Sequence, residues 1–376
     1  MTDRTRTPGG LLRARALGIP FDGTPGACNA VTDVPGVEVG YTTLIDGDGV
    51  RTGVTAVLPR GRAGVATPCA SGWYSLNGNG EMTGTAWLDE TGSLTLPVAI
   101  TNTHAIGPVH RGLIDWVVAN RPELAREWLL PVVGETWDGY LNDINGPHVQ
   151  PAHAVAAVDA ARSGPIEEGS VGGGTGMNCY AFKGGSGTAS RVVEHESDRY
   201  TVGVFVQANF GARRELVVAG APVGHQLLAD NPMEEADRFA APGAGSVIVV
   251  VATDAPLLPG QCTALARRVP LGLARTGTTG SHFSGDLFLA FSTANAGALT
   301  STMAAGGPAY EQLRFVPWGR MNPFYEATVQ ATEEAVLNSL IANADMVGRD
   351  GHRTPALPHD RLVELLRDSG VRLDVG

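Results

Sequence analysis

The sequence has no long hydrophobic run. Nothing in its 376 residues approaches the roughly 18 consecutive apolar positions of a membrane-spanning helix. Cysteine is scarce: Cys28, Cys69, Cys179 and Cys262 stand far apart with no C-x-x-C pair. That fits reduced thiols and gives no disulfide framework, although the spacing leaves one bridge open. Basic charge is in deficit, with 27 Lys+Arg against 38 Asp+Glu and a net charge of -11. Beyond arginines scattered over the first fifteen residues there is no basic run, so no nucleic-acid partner is expected. The start, MTDRTRTPGGLLRARALGIPFDG, carries positive charge but lacks the apolar stretch of a secretory signal. A soluble, cytoplasmic protein with no membrane partner is the expectation. Metal signatures are missing too. There is no H-E-x-x-H, and His148 and His153 are separated by Pro151, which breaks helical register, so no metal is expected.

What the chain has in excess is glycine and proline, 50 and 24 residues, about a fifth of the total. Without a G-X-Y period this is not collagen, and 43% hydrophobic against 17% charged residues excludes disorder. The length alone suggests two or three domains, a range that large single sandwiches also occupy. Tyr200–Asn209, Ser246–Thr253 and Asp286–Thr293 read as strands, the second as a β-branched run buried on both faces. Val31–Tyr41, Gly53–Leu58 and Leu96–Asn102 read as shorter ones. Helices are predicted over Gly107–Ala119, Pro151–Arg162, Pro259–Ala274, Glu326–Ala344 and Asp360–Asp368. Strands and helices that do not simply alternate predict a layered α+β fold.

Two segments invite a chemical reading. Val171–Gly176 (VGGGTG) resembles the glycine turn of tubulin-like GTPases and could cradle phosphate, but it lacks both the P-loop Gly-Lys-Ser/Thr and the G-x-G-x-x-G spacing. A structural turn is the competing reading, and a non-enzymatic nucleotide-binding protein the functional alternative. The second is Gly245–Ser246. Gly-Ser occurs five times, so the dipeptide itself says nothing. Here, however, a Pro-Gly-Ala-Gly approach leads into serine at the head of the most apolar strand. A serine held rigidly behind a bendable glycine suits a self-cleaving N-terminal nucleophile. The freed Ser246 would carry an α-amine of pKa about 8, near enough to neutrality to act as a general base. A plain turn-to-strand junction is the alternative.

Six ordered segments then carry a resemblance: GIPFDGTPGACNAVTDVPGVEVGYTT, ETWDGYLNDING, VGGGTGMNCYAFKGGSGTASR, TVGVFVQANFG, GAGSVIVVVATDAPLLP and SGDLFLAFSTAN. Together they resemble the self-processing L-aminopeptidase/D-esterase-amidase family, which includes β-peptidyl aminopeptidases and nylon-oligomer hydrolases. The resemblance spans about residues 18 to 350. It implies a four-layer αββα sandwich like that of N-terminal-nucleophile hydrolases, with different strand connectivity. It also implies one domain cut into an α chain, 1–245, and a β chain, 246–376, commonly assembled as a tetramer of αβ pairs. Ser246 matches the nucleophile, Gly245–Ser246 the cleaved bond, and Asn209 an oxyanion-hole side chain. Ser284 and Asp286 match the pair around the nucleophile, Asp286 standing where some members have Glu. Glu135 matches the acid that grips the free amine of a peptide, amide or ester substrate. Trp137 stands where characterised members carry a tyrosine hydroxyl, and Tyr140 is the candidate substitute. Asn77, Asn79, Asn102 and His104 are candidate pocket residues, with turn roles as the alternative. No cofactor is implied. An ornithine-acetyltransferase-like acyltransferase is the alternative enzyme, disfavoured because that class uses threonine as nucleophile.

Overall fold

The computed structural model describes residues 3–235, 245–303 and 307–374. In chain order the strands are β1 (Glu38–Asp46), β2 (Val50–Leu58), β3 (Cys69–Gly78), β4 (Ser93–Leu94), β5 (Val98–Asn102) and β6 (Val132–Thr136). Two short strands, β7 (Asn178–Cys179) and β8 (Phe182–Lys183), precede β9 (Gly185–His195), β10 (Asp198–Asn209), β11 (Gly245–Thr253) and β12 (Ser284–Ser292). The helices are α1 (Thr85–Thr91), α2 (Ile106–Asn120), α3 (Pro151–Asp159), α4 (Pro232–Glu235), α5 (Pro259–Ala266), α6 (Val269–Arg275), α7 (Asn322–Ile341) and α8 (His359–Asp368).

The strands form a four-stranded sheet, β1-β2-β5-β6, and a six-stranded sheet, β4-β3-β12-β11-β10-β9. Period-two alternation explains how they stack. On β11, Ile248 and Val250 join Phe205, Leu287 and Leu289 against Val39, Val57, Val98, Ile100 and Val132 of the other sheet. Val247, Val249 and Val251 point the opposite way and pack under Leu265, Leu273, Ala331, Ala335 and Leu362 of α5 to α8. The outer face of the small sheet, with Val54, Ala56, Ala99 and Val133, is covered by Val109, Leu113 and Trp116 of α2 and Ala154 and Val158 of α3. The result is helices, sheet, sheet, helices: the αββα sandwich of an α+β protein. β11 is apolar throughout because both of its faces are covered.

Several boundaries differ from the sequence expectation. The helix expected over Pro259–Ala274 is two, because Pro270 lies in the first turn of α6 and cannot continue α5. Val31–Asp33 is a 3-10 turn, and the strand begins only at Glu38. β9 escaped notice because its first half, GSGTAS, is poor in β-branched residues. Its glycine has a packing cause: a Cβ on Gly187 would lie 2.0 Å from the Ala335 carbonyl oxygen, so α7 can settle only onto glycine.

Candidate active site

The site forms where the two sheets meet at one end of β11. Gly134 on β6 faces β11 so closely that a Cβ there would come within 3.2 Å of Ile248 Cδ1. The residues after Gly134 therefore cross over the head of β11. At that head a Cβ on Gly245 would lie 2.0 Å from the Asn209 carbonyl oxygen, so only glycine lets β10 and β11 pair here. The Gly245 N–H donates to the Phe283 carbonyl at 3.1 Å. The approach to it, Pro242–Ala244, lies outside the described residues. Register then fixes the neighbours of Ser246. Asn209 is opposite on antiparallel β10, and Gly285 is beside it on parallel β12, flanked by Ser284 and Asp286.

Ser246 Oγ accepts a hydrogen bond from the Trp137 backbone N–H at 3.1 Å. Asn209 Nδ2 donates to the Trp137 carbonyl at 2.9 Å, and its Oδ1 accepts from the Asn178 N–H at 2.9 Å. Both ends of the Asn209 amide are thereby oriented, with one amide proton left over. Ser284 Oγ donates to Asp286 Oδ1 at 2.5 Å, and Asn77 Nδ2 donates to Asp286 Oδ2 at 2.7 Å. Burial raises the Asp286 carboxyl above its ordinary range, and these two bonds partly offset it. Ser246, Asn209, Ser284, Asp286 and Glu135 are each 1–5% exposed. Five polar side chains buried together need such partners.

Glu135 is the penultimate residue of β6, with Gly80 between its carboxyl and Gly285 of β12. A Cβ on Gly80 would lie 2.8 Å from Gly285 Cα and 3.0 Å from Glu135 Oε1. Its carboxyl accepts from the Glu81 N–H at 2.9 Å and from the Thr103 hydroxyl. Burial raises its pKa, opposed by those bonds and by the nearby His104. Tyr140 does not supply the substitute hydroxyl: its OH donates to the Arg353 carbonyl at 3.3 Å and its ring stacks on His352. The Trp137 indole lies over Gly139, where a Cβ would meet Cζ2 at 2.4 Å. Asn102 turns inward, donating to Thr52 Oγ1 at 2.8 Å and capping the turn at His104, and the Asn79 carbonyl packs on Gly285. The sequence reading missed the Trp137 N–H, a backbone group with no residue signature, and the grip of Asn77 on Asp286.

The phosphate-cradle reading of VGGGTG is overturned. Gly172 and Gly173 give their N–H groups to the Thr43 and Thr55 hydroxyls, at 2.9 and 3.1 Å, and all three glycines of its 3-10 turn are buried. Among the described residues no group of three or more His, Cys, Asp or Glu could hold a metal ion, and no helix is long and apolar enough to cross a membrane.

The chain is similar to known proteins along most of its length. The model of peptidase family S58 matches residues 29–354. The chain belongs to peptidase family S58. It is a hydrolase of the aminopeptidase type. The β-peptidyl aminopeptidase BapA of Sphingosinicella microcystinivorans is 50% identical over 371 residues, covering 94% of this chain and 92% of the relative. A solved β-aminopeptidase from Burkholderia sp. superposes with TM-score 0.88 at 46% identity, covering 96% of this chain and all of that one. The L-aminopeptidase D-Ala-esterase/amidase of Ochrobactrum anthropi superposes with TM-score 0.89 at 44% identity, covering 96% and 99%. That structure is described as a variant of the N-terminal-nucleophile hydrolase fold and a prototype of the serine aminopeptidases. The S58 chain described here shares that fold.

Proposed function

We propose that this S58 peptidase cuts its own chain between Gly245 and Ser246 and then uses Ser246 to release N-terminal residues bearing a free amine from peptides, amides or esters. In self-cleavage, Ser246 Oγ attacks the Gly245 carbonyl carbon, and the C–N bond to Ser246 breaks as its nitrogen takes up the proton. Water hydrolyses the resulting ester, leaving a Gly245 carboxylate and a free Ser246. Its α-amine, of pKa about 8, then serves as general base for its own hydroxyl. Substrate acylates Oγ and water regenerates it. The observation that carries this reading is the Trp137 N–H on Ser246 Oγ at 3.1 Å, with Asn209, the register partner of Ser246 on β10, oriented by its own bond to the Trp137 carbonyl. In this reading these groups serve the charge that develops on the attacked carbonyl oxygen in the tetrahedral intermediate, where one such donor contributes about 3 kcal/mol.

In the same reading Ser284 and Asp286 hold the amine of Ser246, and Glu135 receives the substrate's ammonium. The names of the relatives extend the substrate class to β-aminoacyl as well as α-aminoacyl compounds. Assembly as a tetramer of αβ pairs and a cytoplasmic location belong to the same proposal, the first testable by sedimentation of processed enzyme. Intact-mass measurement tests the core of it. Wild type should give two chains ending at Gly245 and starting at Ser246, and Ser246→Ala one uncut, inactive chain. An uncut but active wild type, or a cleaved Ser246→Ala, overturns the proposal. A panel of L-, D- and β-aminoacyl anilides then ranks the substrates.

A further inference from the structure

Behind the Trp137 peptide lies a fully buried acid that this reaction does not use. Asp138 Oδ1 accepts from Asn142 Nδ2 at 3.0 Å, and its carbonyl accepts from the Leu141 and Asn142 N–H groups at 3.1 and 3.0 Å. The side chains of Thr52 and Asn102 add polar contacts that favour the anion. Oδ2 has no hydrogen-bond partner among the described residues. A Cβ on Gly176 would lie 2.1 Å from the Arg51 carbonyl oxygen and 3.1 Å from Asp138 Cβ, so the last glycine of VGGGTG packs against both. Burial pushes the carboxyl up to about 7. Fully buried Lys183, pushed down to about 7, donates to the Met177 and Gly184 carbonyls at 2.7 and 2.8 Å and lies within electrostatic reach of Asp138.

A buried carboxyl with one oxygen unpaired is costly, and an apolar residue would fill the space more cheaply. What distinguishes the position is what Asp138 is attached to. The peptide joining Trp137 to Asp138 carries the carbonyl that orients Asn209, and the Trp137 N–H, one peptide further back, reaches Ser246 Oγ. We infer that Asp138 is a positioning residue: held by Asn142 through its side chain and by the Leu141 and Asn142 N–H groups through its carbonyl, it fixes the Trp137 backbone, whose N–H reaches Ser246 Oγ and whose carbonyl orients Asn209. It touches no substrate. The inference rests on Ser246 being the nucleophile.

The test uses full-length Asp138→Ala, Asp138→Asn and Asn142→Ala. The readouts are the self-cleavage half-time of fresh precursor, and kcat and KM on a β-alanyl anilide. Loosening a positioned donor should lower kcat of Asp138→Ala about 100-fold and slow cleavage similarly, with KM within about threefold. Asp138→Asn keeps the volume and an acceptor for Asn142, and should recover most of that loss. Asn142→Ala removes one arm of the clamp and should cost about fivefold in kcat at unchanged KM. Three results would overturn the inference: an intact kcat in Asp138→Ala, a loss matched by the fraction of unfolded protein, or a loss lying in KM. If Asp138→Ala does not fold, Asn142→Ala decides alone, and a wild-type kcat there overturns it. Ser246→Ala separates the two levels. If it is uncut and inactive while the Asp138 set behaves as wild type, only this inference fails; if it is cleaved or active, the proposed function fails as well.

Discussion

Two glycine-rich segments of this chain look alike in sequence and do opposite things. In the 3-10 turn of VGGGTG, a Cβ would collide with Thr55 Oγ1 at 2.5 Å from Gly172, with Gln207 Oε1 at 2.3 Å from Gly173, or with Ser186 N at 2.4 Å from Gly174. The N–H groups of Gly172 and Gly173 are already bonded, so the absent side chains admit neighbours and leave no donor for a ligand. At Gly245 the absent side chain also admits a neighbour, the Asn209 carbonyl at 2.0 Å from a hypothetical Cβ. There, however, the close approach delivers the next residue, Ser246, to a donor and an oriented amide. Glycine marks tight packing in both places. What differs is whether the polar groups around it are used up or gather beside Ser246 Oγ, the proposed nucleophile.

The comparison can be broken first at Gly245. Gly245→Ala forces β11 away from Asn209, and a displacement near 1 Å at the reacting atoms costs on the order of 100-fold. Time courses of freshly made precursor on denaturing gels should show self-cleavage slowed by about that factor; cleavage at the wild-type pace would make the tight approach irrelevant to the chemistry. Next in size is Glu135→Gln. Hydrogen bonds to a charged group contribute about 1.5–3 kcal/mol, so KM for substrates with a free amine should rise at least tenfold, with kcat changing less. The pH dependence has a definite sign. Burial raises the Glu135 carboxyl, and its grip on an ammonium exists only while it is ionised. KM of the wild type should therefore climb, as pH falls, at a higher pH than an ordinary glutamate would give. Glu135→Gln should lack that limb, and an identical limb in both enzymes would assign it to another group.

The layered α+β class was legible in the sequence from periodicity, whereas the αββα order came only with the family resemblance. The unbroken run Val247–Ala252 requires cover on both faces, and it has a sheet on one and helices on the other. Ser246, Asn209, Ser284 and Asp286 could be named because their segments resemble a family, and strand register then brings them side by side. What was illegible is equally physical. The donor on Ser246 Oγ is a backbone N–H, which any residue but proline presents. Tyr140 sits in the right motif, yet its hydroxyl is taken by the Arg353 carbonyl, a partner 213 residues away. β9 is held by α7 packing onto Gly187, a contact that no local strand propensity encodes.

The smallest effect expected is at the other pole of the comparison. In Gly173→Ala the new Cβ would stand 2.3 Å from Gln207 Oε1 and 2.6 Å from the Ile100 carbonyl oxygen. The first can swing aside, at the expense of the bonds from Gln207 Nε2 to Thr101 and Thr136. The second is backbone of a central strand and cannot. Overpacking of this kind costs about 1–3 kcal/mol. In a chain of this size that lowers the melting temperature by several degrees. The folded fraction should still cleave itself, more slowly by no more than severalfold, because Ser246, Trp137 and Asn209 keep their contacts. Calorimetry alongside the cleavage time course separates the two segments: Gly173→Ala should move mainly the melting temperature, and Gly245→Ala mainly the cleavage rate. If Gly173→Ala instead stopped cleavage in protein that melts as wild type, the turn would be part of the reaction machinery and its likeness to Gly245 would be real.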